Sequence, residues 1–275
     1  MNRIRQLISS ISENGRQKKL LSAYIMPGFP RADVTIEILK SAEKAGADFV
    51  ELGVPFSDPL ADGPVIQKAA QVAIENGQTP KTILELVEKF RKVSALPIIL
   101  MGYTNSFLNG IGKNFAEKLR AAGVDGVIIP DLSLEESMEI RGQIEYAGLS
   151  FVLLSAPTST DDRIKKISET ATDFVYCVSV TGVTGARKNL VSSDVIDFLK
   201  RVRKLSQKPF VVGFGISTPE TAKEISNYSD GIVVGSALLQ QISSAPRGEE
   251  PKFAYEFLKS LRTAIDSCTE QGQLK

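Results

Sequence analysis

The stretch Val34–Leu52 (VTIEILKSAEKAGADFVEL) contains a helix, the end of that helix and a strand, in that order. Apolar residues recur at helical spacing before Gly46, a glycine can supply the left-handed residue that ends a helix, and Phe49–Leu52 is a short apolar run. The same succession recurs at Ala122-Gly123 and Ala147-Gly148, each followed by another apolar run. The stretch therefore predicts an α/β fold in which parallel strands are joined through helices.

Short runs of this kind recur along the whole chain. Most are continuously apolar, which is typical of strands buried on both faces. The predicted strands are Leu21–Ile25, Phe49–Leu52, Ile98–Met101, Gly126–Ile129, Phe151–Leu154, Phe174–Cys177, Phe210–Gly213 and Gly231–Val234. The helical patterns between and after them are Val34–Ala45, Ile83–Val93, Asn114–Ala122, Leu134–Tyr146, Asp161–Glu169, Ser193–Leu205, Pro219–Asn227 and Phe253–Ile265. Eight such units favour a closed (β/α)8 barrel, the TIM-barrel architecture, over an open sheet.

Three further features belong to this predicted barrel. Arg3–Asn14 is an initial helix that would cover its bottom, and Ala237–Ile242 is a short helix after strand eight. The long gap between the second and third strands predicts an insertion. Ser243–Pro251 (SSAPRGEEP) is the segment most like a linker, but too little chain follows it to form a second domain. We therefore expect residues 1–275 to form a single domain.

The composition excludes several classes of function. Lys and Arg number 33 and Asp and Glu number 32, so the net charge of +1 offers no footprint for nucleic acid or a membrane surface. The chain has no histidine, which excludes a Ser-His-Asp triad and any histidine-ligated metal. Its two cysteines, Cys177 and Cys268, are too few for a Cys-rich metal site or a disulfide scaffold. General acid–base chemistry must come from Asp, Glu, Lys, Tyr or water.

The sequence also carries no sign of secretion or membrane insertion. No apolar core of a signal peptide follows Met1, and no apolar run approaches the ~18 residues that a membrane helix needs. With reduced cysteines, these features predict a cytoplasmic protein without a metal, a nucleic-acid partner or a membrane partner.

The segment Phe49–Pro64 (FVELGVPFSDPLADGP) places two carboxyl groups near one strand end. Glu51 lies inside an otherwise apolar strand, where desolvation would raise its pKa and allow proton exchange near neutral pH. Asp62 lies on a loop rich in proline and glycine that could carry it over the barrel mouth. Two interpretations stay open: a catalytic pair, or a buried glutamate satisfied by backbone donors beside an aspartate that caps a helix.

Glycines after three strands indicate a phosphate site. Gly213–Ser217 (GFGIS) follows strand seven, while Gly235-Ser236 follows strand eight and opens the short helix. Barrels frequently bind phosphate with these two loops and such a helix N-terminus, and Gly182–Gly185 (GVTG) could add a third edge. The alternative is that these glycines only form tight turns.

Aromatic and apolar residues stand near four strand ends. Tyr24, Tyr103, Ile128 and Tyr176 could line a pocket for a flat ring, or they could be ordinary barrel core.

Five segments together resemble the tryptophan synthase α-subunit family. They are Pro27–Pro30 (PGFP), Phe49–Pro64, Val127–Asp131 (VIIPD), Thr181–Arg187 (TGVTGAR) and Gly213–Ser217, within a resemblance that runs in order from about Leu20 to Ile242. This resemblance implies a lyase that cleaves indole-3-glycerol phosphate to indole and glyceraldehyde 3-phosphate by a retro-aldol step in tryptophan biosynthesis.

The resemblance also implies roles for individual residues. Glu51 and Asp62 would be catalytic: Asp62 would accept the indole N–H, and Glu51 would shuttle protons between the side-chain hydroxyl and indole C3. The remaining residues are Gly185, Gly215, Gly235 and Ser236 at the phosphate, Tyr24, Tyr103, Tyr176 and Thr184 with Ile128 around the indole, and Asp58 near a partner. That partner is a β subunit in an α2β2 heterotetramer; it would hold pyridoxal phosphate, whereas this chain needs no cofactor.

Three alternatives compete with this interpretation. A stand-alone lyase would carry the same catalytic residues and release indole. A non-catalytic binding subunit would regulate a partner, although intact Glu51 and Asp62 argue against it. A different phosphate-using barrel, such as a sugar-phosphate isomerase, would explain the glycine loops but not the segment Phe49–Pro64.

Overall fold

The strands form a closed barrel. A computed structural model describes residues 2–13, 18–178, 192–213 and 215–271. Its strands are β1 Leu20–Ile25, β2 Phe49–Gly53, β3 Ile98–Met101, β4 Gly126–Ile128, β5 Ser150–Ser155, β6 Val175–Val178, β7 Phe210–Gly213 and β8 Gly231–Val234. They pair in parallel in chain order, and β1 also pairs with β8 to close the ring. The predicted (β/α)8 barrel is confirmed, with every strand end within one residue of its expected position.

Helices surround the barrel and cover one end of it. Those of the described residues are α1 Arg3–Glu13, α2 Thr35–Ala45, α3 Pro64–Glu75, α4 Pro80–Arg91, α5 Phe115–Ala122, α6 Ser137–Tyr146, α7 Asp161–Thr170, α8 Ser193–Leu205, α9 Pro219–Ser226, α10 Ser236–Ser244 and α11 Glu250–Gln271. A 3-10 turn at Ala32–Val34 precedes α2, and a π-helical turn at Ser106–Ile111 precedes α5. The additional helices expected at the start of the chain and after strand eight are present as α1 and α10.

The insertion after β2 is itself helical, which the sequence reading did not specify. Helix α3 begins with Pro64 in its first turn, where the missing amide hydrogen costs nothing, and it buries Ile66, Ala69 and Ala73. Helix α4 also begins earlier than expected, because Thr79 caps Pro80–Arg91 by accepting from the backbone N–H of Thr82.

Alternation along the strands divides the apolar residues between two cores. In β2, Val50 and Leu52 belong to the layer between the barrel and its helices, whereas Phe49 belongs to the barrel interior. Successive residues of a strand point to opposite faces, so Glu51 shares the interior face with Phe49. The interior is filled by side chains, and Glu51 is therefore surrounded by packed protein.

Helix α1 closes the N-terminal end of the barrel. Ile4 is fully buried in the interior core, and the Asn2 side chain donates to the carbonyl oxygens of Asp125 at 2.7 Å and Gly148 at 3.0 Å. The buried Asp125 carboxylate accepts from Arg3 at 3.0 Å and from Arg91 at 2.8 Å. Substrate access must therefore come from the opposite end, where the strands finish.

Candidate active site

Glu51 is the ionisable side chain that β2 places inside the barrel. It is fully buried, and its register partners are Tyr24 on β1 and Ile99 on β3. The Ser22 hydroxyl donates to Glu51 Oε1 at 3.3 Å, while Oε2 has no hydrogen-bond partner among the described residues. A buried polar atom without a partner is costly, and such atoms concentrate at functional sites.

Burial dominates the electrostatics of this carboxyl group. Loss of water raises the pKa of Glu51 to about 8, because the charged form loses hydration, and the Ser22 hydrogen bond opposes this effect only in part. Glu51 is therefore mostly protonated at neutral pH and can act as an acid.

Asp62 is held in place by Tyr103, which lies just beyond β3, and by Gln67. The Tyr103 hydroxyl donates to Asp62 Oδ2 at 3.2 Å and accepts from the backbone N–H of Ala61 at 3.0 Å. Gln67 on α3 also donates to the Asp62 carbonyl oxygen at 2.9 Å. Partial burial raises the pKa of Asp62 to about 6, and the hydrogen bond from Tyr103 acts in the opposite direction. Asp62 is therefore mostly ionised at neutral pH.

Two glycines make room for tyrosine hydroxyl groups inside the barrel. A Cβ atom at Gly53 would lie 2.3 Å from Tyr24 Oη, and one at Gly213 would lie 1.9 Å from Tyr176 Oη. No larger residue could replace either glycine without moving the ring. Burial and the nearby carboxyl groups raise the pKa of both tyrosines, so the two hydroxyl groups stay neutral.

The structure brings most of the predicted pocket together. Tyr24, Ile128 and Tyr176 are buried in the interior core with Met101, and Tyr103 lies just beyond β3. The negative charge of Glu51 or Asp62 helps to raise the pKa of each of the three tyrosine hydroxyl groups.

The glycine loops lie at the same end of the barrel. Gly235 directly follows β8, and Ser236 is the first residue of α10, whose N-terminus has no side-chain cap. Gly215 follows β7 and has φ +83°, a left-handed conformation that favours glycine. Backbone N–H groups of the first turn of α10 are therefore open to an anion.

The structure does not place the other three predicted residues in this cluster. Thr184 and Gly185 lie outside the described residues. Asp58 is exposed on the loop between β2 and α3, next to Leu60, whose relative exposure is 86%.

Sequence reasoning missed two contacts that shape the site. The Phe56 ring lies against Tyr103 with centroids 5.2 Å apart, and Ser22 bonds Glu51 across strands. A single serine within the otherwise apolar and aromatic strand β1 was the available signal for Ser22; no sequence signal marked Phe56.

Two features are absent from the described part of the chain. No cluster of three or more His, Cys, Asp or Glu residues there could hold a metal ion. None of the described helices is both long and apolar enough to cross a membrane.

The structure is a closed (β/α)8 barrel with a buried glutamate on β2 and an aspartate on the loop that follows β2. Enzymes with this fold have their active sites at the C-terminal ends of the strands. The model of one family, described as tryptophan synthase alpha chain, matches residues 11–265. The chain belongs to this tryptophan synthase alpha chain family.

Similar proteins agree over nearly their whole lengths. The tryptophan synthase alpha chain of Dehalococcoides mccartyi is 43% identical over 94% of this chain and 100% of its own. That of Pelodictyon phaeoclathratiforme is 45% identical over 95% of this chain and 99% of its own. Among solved structures, the alpha subunit from Legionella pneumophila superposes with a TM-score of 0.87 at 34% identity, covering 97% and 99% of the two chains.

Membership of the family establishes the reaction. The chain is a carbon–carbon lyase that cleaves indole-3-glycerol phosphate to indole and glyceraldehyde 3-phosphate in tryptophan biosynthesis. The alpha chains of this family carry no cofactor and work with a β subunit, which holds pyridoxal phosphate.

The buried Glu51 carboxyl gives a prediction about stability. Its pKa is about 8 in the native state and close to the ordinary 4.5 in the unfolded state. As pH rises between these values the unfolded state releases its proton and the native state retains it, so stability of the native chain falls. Glu51→Gln removes this loss. We expect urea unfolding to show that Glu51→Gln stabilises the chain more at pH 8.5 than at pH 5.

The matched control is Glu85→Gln, which changes an exposed glutamate on α4. Its effect should be small and equal at both pH values. A Glu51→Gln effect that did not grow with pH would show that burial does not raise the pKa of Glu51.

Proposed function

We propose that Glu51 and Asp62 carry out the acid–base steps of this cleavage. The observation that supports the proposal is the difference in their surroundings: Glu51 is fully buried in the barrel, whereas Asp62 is partly exposed on a loop and accepts a hydrogen bond from Tyr103. Burial raises the pKa of Glu51 to about 8 and that of Asp62 to about 6. At neutral pH one group is mostly protonated and the other mostly ionised. A pair of carboxyl groups whose surroundings separate their pKa values is the arrangement that assigns one acid and one base.

Glu51 transfers its two protons in a fixed order. Glu51 gives its proton to C3 of the indole ring, while the Asp62 carboxylate accepts the indole N–H and stabilises the positive charge that develops on the ring. Glu51, now a carboxylate, takes the proton of the hydroxyl next to C3. The bond between C3 and the side chain then breaks: its electron pair returns to the ring and the hydroxyl carbon becomes the aldehyde of glyceraldehyde 3-phosphate. Glu51 has regained its proton.

The substrate phosphate binds at the loops after β6, β7 and β8. The Gly235 and Ser236 amides at the start of α10, which has no side-chain cap, bind the anion together with Gly215 after β7. Gly185, outside the described residues, is assigned to the same anion by resemblance. This places the phosphate at the barrel rim, while the ring reaches inward to the carboxyl groups.

The indole ring lies among the residues around Glu51. Tyr24, Ile128 and Tyr176 form the inner walls, and Tyr103 forms the side nearest Asp62. Thr184, which lies outside the described residues, is a further residue that the resemblance assigns to the ring. Because the walls are mostly apolar, water is excluded from the proton transfers.

The β subunit docks on the loop that carries Asp62. Asp58 and the exposed Leu60 border a cavity of about 510 Å³ that Gln67 and Gln71 of α3 also line. Docking there fixes the position of Asp62, and two copies of each chain form the α2β2 heterotetramer.

The chain, residues 1–275, acts as a single domain in the cytoplasm.

The competing functions differ in what they predict for these residues. A non-catalytic binding subunit does not need a buried Glu51 Oε2 to which no described residue forms a hydrogen bond, and a sugar-phosphate isomerase does not need the tyrosine-lined pocket. The stand-alone lyase shares every catalytic residue and differs only in its response to a β subunit.

Replacement of either carboxyl group tests the proposed mechanism. Glu51→Gln and Asp62→Asn preserve size but remove proton exchange, and each should lower kcat at least ~10²-fold with KM little changed. In the unaltered chain, kcat/KM should fall below pH about 6, where Asp62 becomes protonated, and above pH about 8, where Glu51 loses its proton. Steady-state assays of glyceraldehyde 3-phosphate release measure both effects. Near-normal turnover in either variant would exclude that residue from catalysis.

The phosphate site is tested at Gly235. A Cβ atom there would contact Tyr24 Cβ at an ordinary 3.4 Å, so Gly235→Ala serves as the mild control. Compared with this control, Gly235→Val adds two methyl groups where the anion approaches the backbone. We expect calorimetry to show at least ~10-fold weaker binding of glycerol 3-phosphate. Thermal unfolding checks that both variants fold. Unchanged binding by folded Gly235→Val would place the phosphate elsewhere.

Titration with a β subunit separates the complex from a stand-alone lyase. We expect β subunit to raise kcat of the cleavage at least ~10-fold, equivalent to about 1.4 kcal/mol of barrier. Leu60→Ser should raise the half-saturating β concentration at least ~10-fold, because exposed apolar anchors supply much of the affinity at interfaces. Val93→Ser, at an exposed residue beyond α4, is the matched control. A flat response to β subunit would favour the stand-alone lyase.

A further inference from the structure

Ser22 is a fully buried serine on β1. Leu21 and Ala23 on either side of it belong to the outer core, so its side chain faces the barrel interior. By register it lies opposite Phe49 on β2 and Val233 on β8, and neither side chain can bond a hydroxyl group. Burial of an unbonded hydroxyl group is unfavourable, so the Ser22 hydroxyl depends on its bond to Glu51.

The hydrogen bond reaches Glu51 from the side of the closed, N-terminal end of the barrel. Tyr24 is the register partner of Glu51 on β1, and Ser22 lies two residues earlier, nearer the closed end of the barrel. Ser22 Oγ donates to Oε1 at 3.3 Å, and Oε2 has no hydrogen-bond partner among the described residues. The two oxygens of one carboxyl group therefore have different surroundings.

This difference decides where the proton sits. A protonated carboxyl group has one oxygen that carries the hydrogen and one that can only accept. A donor at Oε1 favours Oε1 as the accepting oxygen and Oε2 as the oxygen that carries the proton.

We propose that Ser22 is a positioning residue for the reaction. Its hydroxyl group donates a hydrogen bond to Glu51 Oε1 and thereby leaves Oε2 as the oxygen that gives and takes the substrate's protons. The inference rests on the proposed function of Glu51 as the proton-transferring group. Ser22 itself touches neither the reacting atoms nor the ring.

Other groups around Glu51 do not supply the same control. Tyr24 on β1 and Tyr176 on β6 face Glu51, and burial raises the pKa of each, so both stay neutral in the working range. Tyr103, beyond β3, is bonded to Asp62, whose pKa of about 6 lies well below that of Glu51. Among the described residues, Ser22 is the group that donates directly to the Glu51 side chain.

The test is the pH dependence of kcat/KM for the full chain with saturating β subunit. In Ser22→Ala the carboxylate form of Glu51 loses its donor, so its pKa rises and the basic limb should move to higher pH by about half a unit to one unit. We also expect kcat at pH 7 to fall about 5- to 30-fold, because the proton no longer prefers Oε2, while KM stays within about twofold.

Two further variants separate the hydrogen bond from packing. Ser22→Thr keeps the hydroxyl group and should restore the basic limb and most of kcat. Ser22→Cys keeps the size with a weaker donor and should give an intermediate shift, and it carries the test if Ser22→Ala does not fold. The matched control is Ser155→Ala, another buried serine of the barrel wall, at the end of β5, which should keep the original profile.

Two outcomes would overturn the inference. One is a Ser22→Ala profile that superimposes on the original in kcat and in its basic limb. The other is an equal loss of activity at every pH that Ser22→Thr does not restore, which would show a packing role only. Glu51→Gln in the same assay keeps the two proposals apart: if it is active, the proposed role of Glu51 fails, and if it is inactive while Ser22→Ala is unaffected, only the role of Ser22 fails.

Discussion

The Glu51 carboxyl group has no access to water, because the barrel is closed and side chains fill its interior. Alternate residues of every strand must point inward, and β2 places a glutamate where the neighbouring strands place a tyrosine and an isoleucine. Most of the site follows from this desolvation. It keeps the proton on Glu51 at neutral pH, it makes a single hydroxyl donor on β1 significant, and it keeps the surrounding tyrosines neutral.

The two carboxyl groups differ because their supports differ. Glu51 is fixed by the pairing of β2 with β1 and β3, so its surroundings change only if the barrel changes. Asp62 lies on a loop that is attached to the barrel through the Tyr103 hydroxyl and through Gln67 of α3. A strand provides constant burial and a loop provides adjustable exposure. The lower pKa of Asp62 and its position beside the proposed docking surface are two results of the same attachment.

The sequence predicted those features that depend on neighbouring residues. Continuous apolar runs located all eight strands, and Glu51 was recognisable because it interrupts one of them. Contacts between distant residues could not be predicted in this way: Ser22 and Glu51 are 29 positions apart, and their meeting depends on the register of β1 against β2. Helix α3 was missed for a different reason, since Pro64 was assigned to the preceding loop although it also begins a helix. The proposed roles at the site came from resemblance, because spacing alone cannot separate a catalytic carboxylate from a helix cap.

The contacts of α1 bear on the order in which the chain becomes structured. Arg3 pairs with Asp125 and Arg5 with Asp173, so α1 is held by residues that are synthesised much later than α1 itself. Until β6 approaches, Ile4 has no complete interior to enter, and an incomplete barrel would leave it exposed to solvent. The end of the barrel opposite the active site is therefore sealed late in folding, by a helix that is synthesised before any of the eight strands.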